Sequence, residues 1–439
     1  MRVRAGVGPS ARRHGARAIA AVSAAALLLT ACGNGDTDDA PDDGEDVATD
    51  EIQADVGVDL DEQVLHIATL DDTSGPAASI GVPYAVGKRI LVEQVNAGEI
   101  DILPEGWTVE LDEIDVAYNP QEAVQAFNEV EDEVLTIVTV MGTPTTLPLV
   151  PQTEQTGMTI FPASLSSELA VNEYTPPIGA PYMVEAHHAV EHALEEDPDA
   201  QIGIVYQLDD YGEDGLTGTR DAAEHHGVEV VAEEGVAPGE TDVTAAVSSL
   251  ASAGATHVML SVLPSSAGPV LGTALQAGYE PVWYANTASW IDAFFDPDTL
   301  PPPAYQNFRW VTGLPLWGED LPGMEAFLDA YEQYGADQYQ PDFYILASYA
   351  QGKLALEAFA RALEQGDVTR EGYHEALRTI EGYDADGLFP SPIDLDTFPY
   401  QTVTDTRILA PGEDLESWEV LADFHTPESW EGLEAGLEE

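Results

Sequence analysis

Eight consecutive apolar or β-branched residues at 134–141 (VLTIVTVM) end abruptly in Gly142, Thr143 and Pro144. A continuous run of this kind is what a parallel strand buried on both faces looks like. The segment is one member of a repeating series. Residues 65–70 (LHIATL) read as a strand stopped by the turn-forming residues Asp71, Asp72, Thr73, Ser74, Gly75 and Pro76. A helical pattern follows from about 79 to 96, with Ile80, Tyr84, Val86, Ile90, Leu91 and Val95 at three- to four-residue spacing. Residues 107–115 and 158–161 supply two more strands, and Asn119-Pro120 opens another helix. Strand, polar loop and helix thus recur four times in about a hundred residues, which predicts a parallel sheet with helices on both faces. Ligands in such sheets bind beyond the carboxyl ends of the strands. The loop at 71–81, with the unpaired N–H groups of its helix end, is therefore a candidate ligand contact.

The cadence then restarts. A helix is expected from 181 to about 196, then strands at 201–206 (QIGIVY), 228–232, 256–261 and 281–285, with helices to about 226 and at 242–253 and 268–277. Further helices are expected at 323–334, 343–363 and 370–380, and strand-like pieces at 404–409 and 418–424 close the chain. For 439 residues, two doubly wound lobes are the economical reading.

The N-terminus is a different kind of sequence. Five arginines precede an apolar run at 18–29, which closes in Leu29, Thr30, Ala31 and Cys32. That is the layout of a secretory signal peptide (1–31), too short for a good membrane span. Leu-Thr-Ala-Cys resembles the bacterial lipobox, which makes Cys32, the single cysteine of the chain, the expected lipid attachment point. Residues 32–61 are rich in Asp, Glu, Gly, Thr and Ala and read as an acidic, disordered tether; residues 426–439 read as an acidic tail. Beyond the signal, nine basic residues face 80 acidic ones, a net charge of −71. This excess argues against nucleic acid and anionic lipid surfaces as partners, and it suggests a saline habitat in which the self-repulsion is screened.

Several motifs in series resemble one family. Ser74, Gly75, Pro76, Ala78 and Gly81 match a first-loop pattern, Val95, Asn96, Ala97 and Gly98 a helix end, Asp209 to Gly212 a D-x-Y-G turn, and Gly239 to Asp242 a G-x-T-D turn. Together they resemble the solute-binding proteins of ABC importers with the type I periplasmic-binding fold, of the branched-chain amino acid type. The resemblance implies two α/β lobes joined by crossing strands: 62–178 with 286–385, and 179–285 with 386–425. It also implies a monomer that holds a small-molecule ligand in the interlobe cleft, works with ABC permease subunits, is anchored to the membrane through lipid, and is no enzyme. By the same resemblance the ligand-binding residues are Thr143, Thr145, Thr146, Ala163, Ser164, Leu165 and Tyr211; Ser74 on the first loop, Asn286, and the aromatics Tyr84 and Trp290 as a wall are further candidates read from the sequence. Leu165 stands where the family favours Thr or Ser, residues 261–264 lack a tyrosine, and residues 284–288 lack the acid that pairs an ammonium. Those departures point away from an ordinary branched-chain amino acid, and an aromatic wall of Tyr84, Trp283 and Trp290 suits a neutral amide, a urea-like compound or an aromatic acid. The expected ligand is thus a small polar solute: an amino acid, an amide, a urea-like compound or an aromatic acid.

Other chemistry finds little support. His187, His188 and His192 with Glu191 do not make an H-E-x-x-H site, so a solvated helix face is expected and no metal or other cofactor. No G-x-S-x-G elbow or phosphate loop is present. A ligand sensor of the same fold remains the alternative to an importer component.

Overall fold

The structure, a computed structural model, describes residues 3–4, 52–400, 403–415 and 417–433. The cleavage region, Cys32 and most of the tether lie outside the described residues, as do residues 434–439. The first sheet is built by β1 (Val64–Asp71), β2 (Thr108–Asp115), β3 (Thr136–Met141) and β4 (Ile160–Ala163), parallel in the order β2-β1-β3-β4. The short pieces Val3–Arg4 and Val58–Asp59 pair antiparallel with β2 and β1. The second sheet holds β5 (Ile202–Gln207), β6 (Val230–Val236), β7 (His257–Ser261), β8 (Val282–Ala285), β9 (Phe308–Thr312), β10 (Thr406–Pro411) and β11 (Trp418–His425). Its order is β11-β10-β9-β8-β7-β5-β6, with only the β10 and β11 pairings antiparallel. In both sheets the chain starts in the middle and winds to either side, which opens a crevice where the winding reverses.

Helices α1 (Ala78–Ala97), α2 (Pro120–Val130), α3 (Thr143–Thr146) and α4 (Val150–Thr156) belong to the first lobe. Helices α5 (Tyr182–Glu196), α6 (Asp210–His225), α7 (Thr244–Ala253) and α8 (Pro264–Ala277) belong to the second. The chain then returns to the first lobe with α9 (Met324–Tyr334), α10 (Phe343–Gln365) and α11 (Arg370–Leu377). Contact between α1 and α10 depends on glycine, since a Cβ on Gly87 would lie 2.3 Å from the Ile345 carbonyl oxygen. Asn119 caps α2 by accepting from the Gln121 and Glu122 amides, and Asp209 caps α6 through the Gly212 amide. The crossing segments lie side by side at Gly313, where a Cβ would stand 3.1 Å from the Asp405 carbonyl oxygen and 3.7 Å from Ala180.

Five expectations are corrected. The strand Phe308–Thr312 was not foreseen, and by pairing parallel with β8 it carries 286–312 with the second sheet rather than the first lobe. Residues up to 400 return to the first lobe, where the Tyr400 amide donates to the Ala170 carbonyl. The tether does not extend to 61, because Gln53–Ala54 pairs with Asp367–Val368 and Val58–Asp59 with β1. Residues 427–433 are likewise not a free tail: Ser429 and Leu433 are buried, and the Glu428 and Ser429 amides donate to Glu191. Those contacts cover the histidine run as well, so α5 has no solvated face there. His187 bonds Ser429 and, part-buried, Asp221; His188 bonds Thr406 and His192 bonds Tyr284, both buried.

Candidate functional site

The loop at 71–77 shows how local chemistry shapes the cleft. The Asp72 carboxylate is buried and accepts from the amides of Ser74, Gly75 and Ala77. The amides expected to face a ligand are thus taken by the loop's own side chain. Gly81 lets the helix pass close over this turn, since a Cβ there would lie 1.9 Å from the Asp72 carbonyl oxygen. Ser74 stands with Gly75, Pro76 and Ser79 on one side of an open cleft mouth, facing Gly239, Pro264, Ser265 and Ile291 of the second lobe. It belongs to the rim, not the interior.

Behind this mouth, side chains of both lobes surround about 550 Å³ of space not filled by atoms, open solvent included. The first lobe contributes Ala77, Ile80, Tyr84, Tyr118, Met141, Gly142, Thr143, Ala163, Ser164 and Leu165. The crossing segments and the second lobe contribute Ile178, Tyr182, Tyr211, Leu263, Thr287, Ala288 and Leu314, and Tyr344 closes the wall from α10. Most of these residues sit at or just beyond strand carboxyl ends. Among the described residues, no side chain that carries a full charge lines the space.

The polar groups around it fall into two sets. Tyr211 donates to Asn286 at 2.8 Å, Tyr344 to the Thr287 carbonyl at 3.1 Å, and Thr287 to Glu185, so these hydroxyls point away from the cavity. Thr143 and Ser164 bond each other at 2.7 Å within the lining. Three carboxyls on the second-lobe side of the cleft are engaged. Glu185 accepts from the Thr287 amide at 2.9 Å, Asp214 from the Ser167 amide at 3.2 Å, and Asp209 from Gln207 at 2.6 Å. Burial pushes Glu185 up to about 8 and Asp214 up to about 7, and it raises Asp209 as well. The Ser167–Asp214 bonds and the donation from Gln207 to the Tyr118 hydroxyl at 3.3 Å also tie one lobe to the other.

Of the residues expected to bind ligand, Tyr84, Thr143, Ala163, Ser164, Leu165 and Tyr211 line the cavity. Thr145 and Thr146 do not, because their hydroxyls fold back onto the carbonyls of Met141 and Gly142. Asn286 stands behind Tyr211. Trp290 is fully buried among Phe294, Phe295, Tyr305, Phe308 and Trp418, which makes it a core residue of the second lobe. Sequence reasoning missed Tyr118, Tyr182, Thr287 and Tyr344. Tyr118 carried a usable signal, since it directly precedes the Asn119 cap at the end of β2 and takes a left-handed φ of 58°. Tyr344 reaches the cleft only through tertiary packing.

Two α/β lobes of doubly wound topology, joined by adjacent crossing segments around an enclosed cleft, define a two-lobed solute-binding fold of type I. Residues 64–407 match the periplasmic binding protein family, and the chain belongs to it. A curated relative, the leucine-, isoleucine-, valine-, threonine- and alanine-binding protein of Pseudomonas aeruginosa, is 26% identical over 331 residues, covering 72% of this chain and 82% of its own. Among solved structures, the fatty acid ABC transporter substrate-binding protein from Thermomonospora curvata superposes with a TM-score of 0.79 at 24% identity, covering 87% of this chain and 96% of that one. The branched-chain amino acid ABC transporter protein from Thermus thermophilus with bound valine gives 0.72 at 21% identity, covering 86% and 98%. The chain is accordingly a periplasmic binding protein of the type I fold, and the relatives named here are binding proteins by their descriptions.

Proposed function

We propose that this chain is an extracytoplasmic lipoprotein that captures a small organic solute between its lobes and delivers it to an ABC permease. The observation that carries this reading is the enclosed cavity, to which both lobes contribute at the carboxyl ends of their parallel strands. A ligand touching Thr143 and Ser164 on one side and Tyr211 and Thr287 on the other makes all its contacts only when the lobes are closed, so it shifts the population towards closure. The signal-like leader and Cys32 support export and lipid anchoring, and the short segment before residue 52 supports a tether to the membrane. Among the described residues no helix is long and apolar enough to cross a membrane. The named relatives are described as binding leucine, isoleucine, valine, threonine and alanine, or as serving fatty acid transport, and a carboxylate-bearing solute with an apolar body is what we assign to this cleft. Mass action then requires the solute to raise the melting temperature. Ala163→Trp, which fills the cavity from its wall, is expected to abolish that rise while the far-ultraviolet circular dichroism stays unchanged. A well-folded Ala163→Trp protein that still binds the solute with full affinity would rule out this cleft. For the anchor, Cys32→Ala should release the protein from cell membranes into the medium or periplasm.

A further inference from the structure

Resting on the reading of this cleft as the solute site, we propose that the solute is a monocarboxylic acid with an aliphatic or aromatic body and no amino group. An α-ammonium brings a full charge and three donors, which must find acceptors once water is expelled. Among the described residues the cavity lining offers no carboxylate to it. Glu185, the carboxyl behind Thr287, has both oxygens occupied by the Thr287 amide and hydroxyl. Asp214 is turned to Ser167. The Asn286 carbonyl oxygen accepts from both Tyr211 and Ser289, and the Thr287 carbonyl from Tyr344 and the Trp310 indole. These acceptors of the second-lobe wall are therefore already used by the protein's own donors.

The available hydroxyls suit the opposite kind of head group. Tyr84 and Tyr182 are buried and line the cavity; the Tyr84 phenol makes no side-chain hydrogen bond among the described residues, and the Tyr182 oxygen accepts from the Leu165 amide, which leaves its own O–H to donate. Phenol O–H groups are good donors to a carboxylate, and the Thr143–Ser164 pair can redirect a proton towards the same head. The rest of the wall, Ile80, Met141, Leu165, Leu263 and Leu314, accommodates an apolar body and nothing more polar.

The test compares pairs that differ only in the ammonium: 4-methylpentanoate against leucine, and 3-phenylpropanoate against phenylalanine, with octanoate as a longer acid. Calorimetric affinity and thermal shift are read on the full mature chain. The acid of at least one pair is expected to bind about 100-fold more tightly than its amino partner, because an unpaired buried charge costs that much or more. Leucine or phenylalanine binding as tightly as its acid partner, with Ala163→Trp abolishing it, would overturn this inference and leave the cleft assignment standing. Failure of every acid and amino acid to bind would overturn both. Ala288→Glu provides an independent check, since it puts a carboxylate on the wall. Acid affinity should fall at least tenfold, whereas an unchanged acid affinity in a folded Ala288→Glu protein counts against an acid bound here.

Discussion

Glu185 and Trp290 show what a single side chain does beneath the cleft. Glu185 is buried and its carboxyl is pushed up to about 8, chiefly by desolvation, against an ordinary value of 4.5. Between those two values the folded protein keeps a proton that the unfolded chain has released. Its contribution is therefore complete below about 4.5 and is lost as the pH rises through about 8. Glu185→Gln removes this linkage. In denaturant titrations from pH 5 to 8, the variant should lose less stability than the parent, by at most about 1.4 kcal/mol per pH unit. Parallel curves would show that Glu185 does not titrate in this range. Trp290→Ala empties the aromatic cluster of the second lobe and should cost about 3–5 kcal/mol in the same assay, without replacing any cleft contact. At this scale the sequence was only half legible. The hydroxyl-rich run at 143–146 was readable as a cleft loop, but successive side chains on one helical turn diverge by about 100°. Thr143 faces the cavity while Thr145 and Thr146 bond carbonyls three or four residues back. Trp290, two residues beyond the cavity-lining Ala288, looked equally suited to face ligand, and only the packing of β9 and β11 shows that it turns inward.

The elements themselves were far more legible, because each strand and helix carries its own pattern. Continuous apolar runs marked β3, β5 and β7, and glycines in left-handed conformation close α1, α4, α7, α8 and α10 at Gly98, Gly157, Gly254, Gly278 and Gly366. Strand β9 was missed because it has only five residues, contains Arg309, and follows a proline-rich turn at 301–303, so no local periodicity announces it. With it went the true return point between the lobes. The first loop yields a prediction at this scale. Asp72 satisfies three amides that would otherwise be orphaned at the start of α1. Asp72→Ala should cost about 2–3 kcal/mol of stability. Hydrogen exchange should accelerate first at 74–81; acceleration spread evenly over the domain would mean that the carboxylate does not organise this turn.

For the molecule as a whole, charge is the dominant unbalanced quantity. Of the nine basic residues beyond the signal, Arg89, Arg220, Lys353, Arg361 and Arg407 are already paired with Glu113, Glu233, Asp386, Glu357 and Glu319. Lys88 is buried against Ser348 and Gln351, where desolvation pushes its ammonium well below the ordinary range. The remaining carboxylates therefore face one another across a surface with almost no cations. At about 0.01 M salt their repulsion reaches some 30 Å, comparable with a domain, and at about 1 M it is confined to about 3 Å. The melting temperature should rise steadily over that interval at pH 7 and much less at pH 4, where many carboxylates are protonated; equal slopes at the two pH values would assign the effect to general salting-out instead. The same field acts on closure, because ligand capture brings two acidic lobes together and adds an anion between them. Affinity for 4-methylpentanoate should accordingly increase with salt more steeply than affinity for its uncharged amide, which senses the lobe–lobe repulsion but adds no charge of its own. Identical salt slopes for acid and amide would mean that the bound head group carries no net negative charge in the closed cleft.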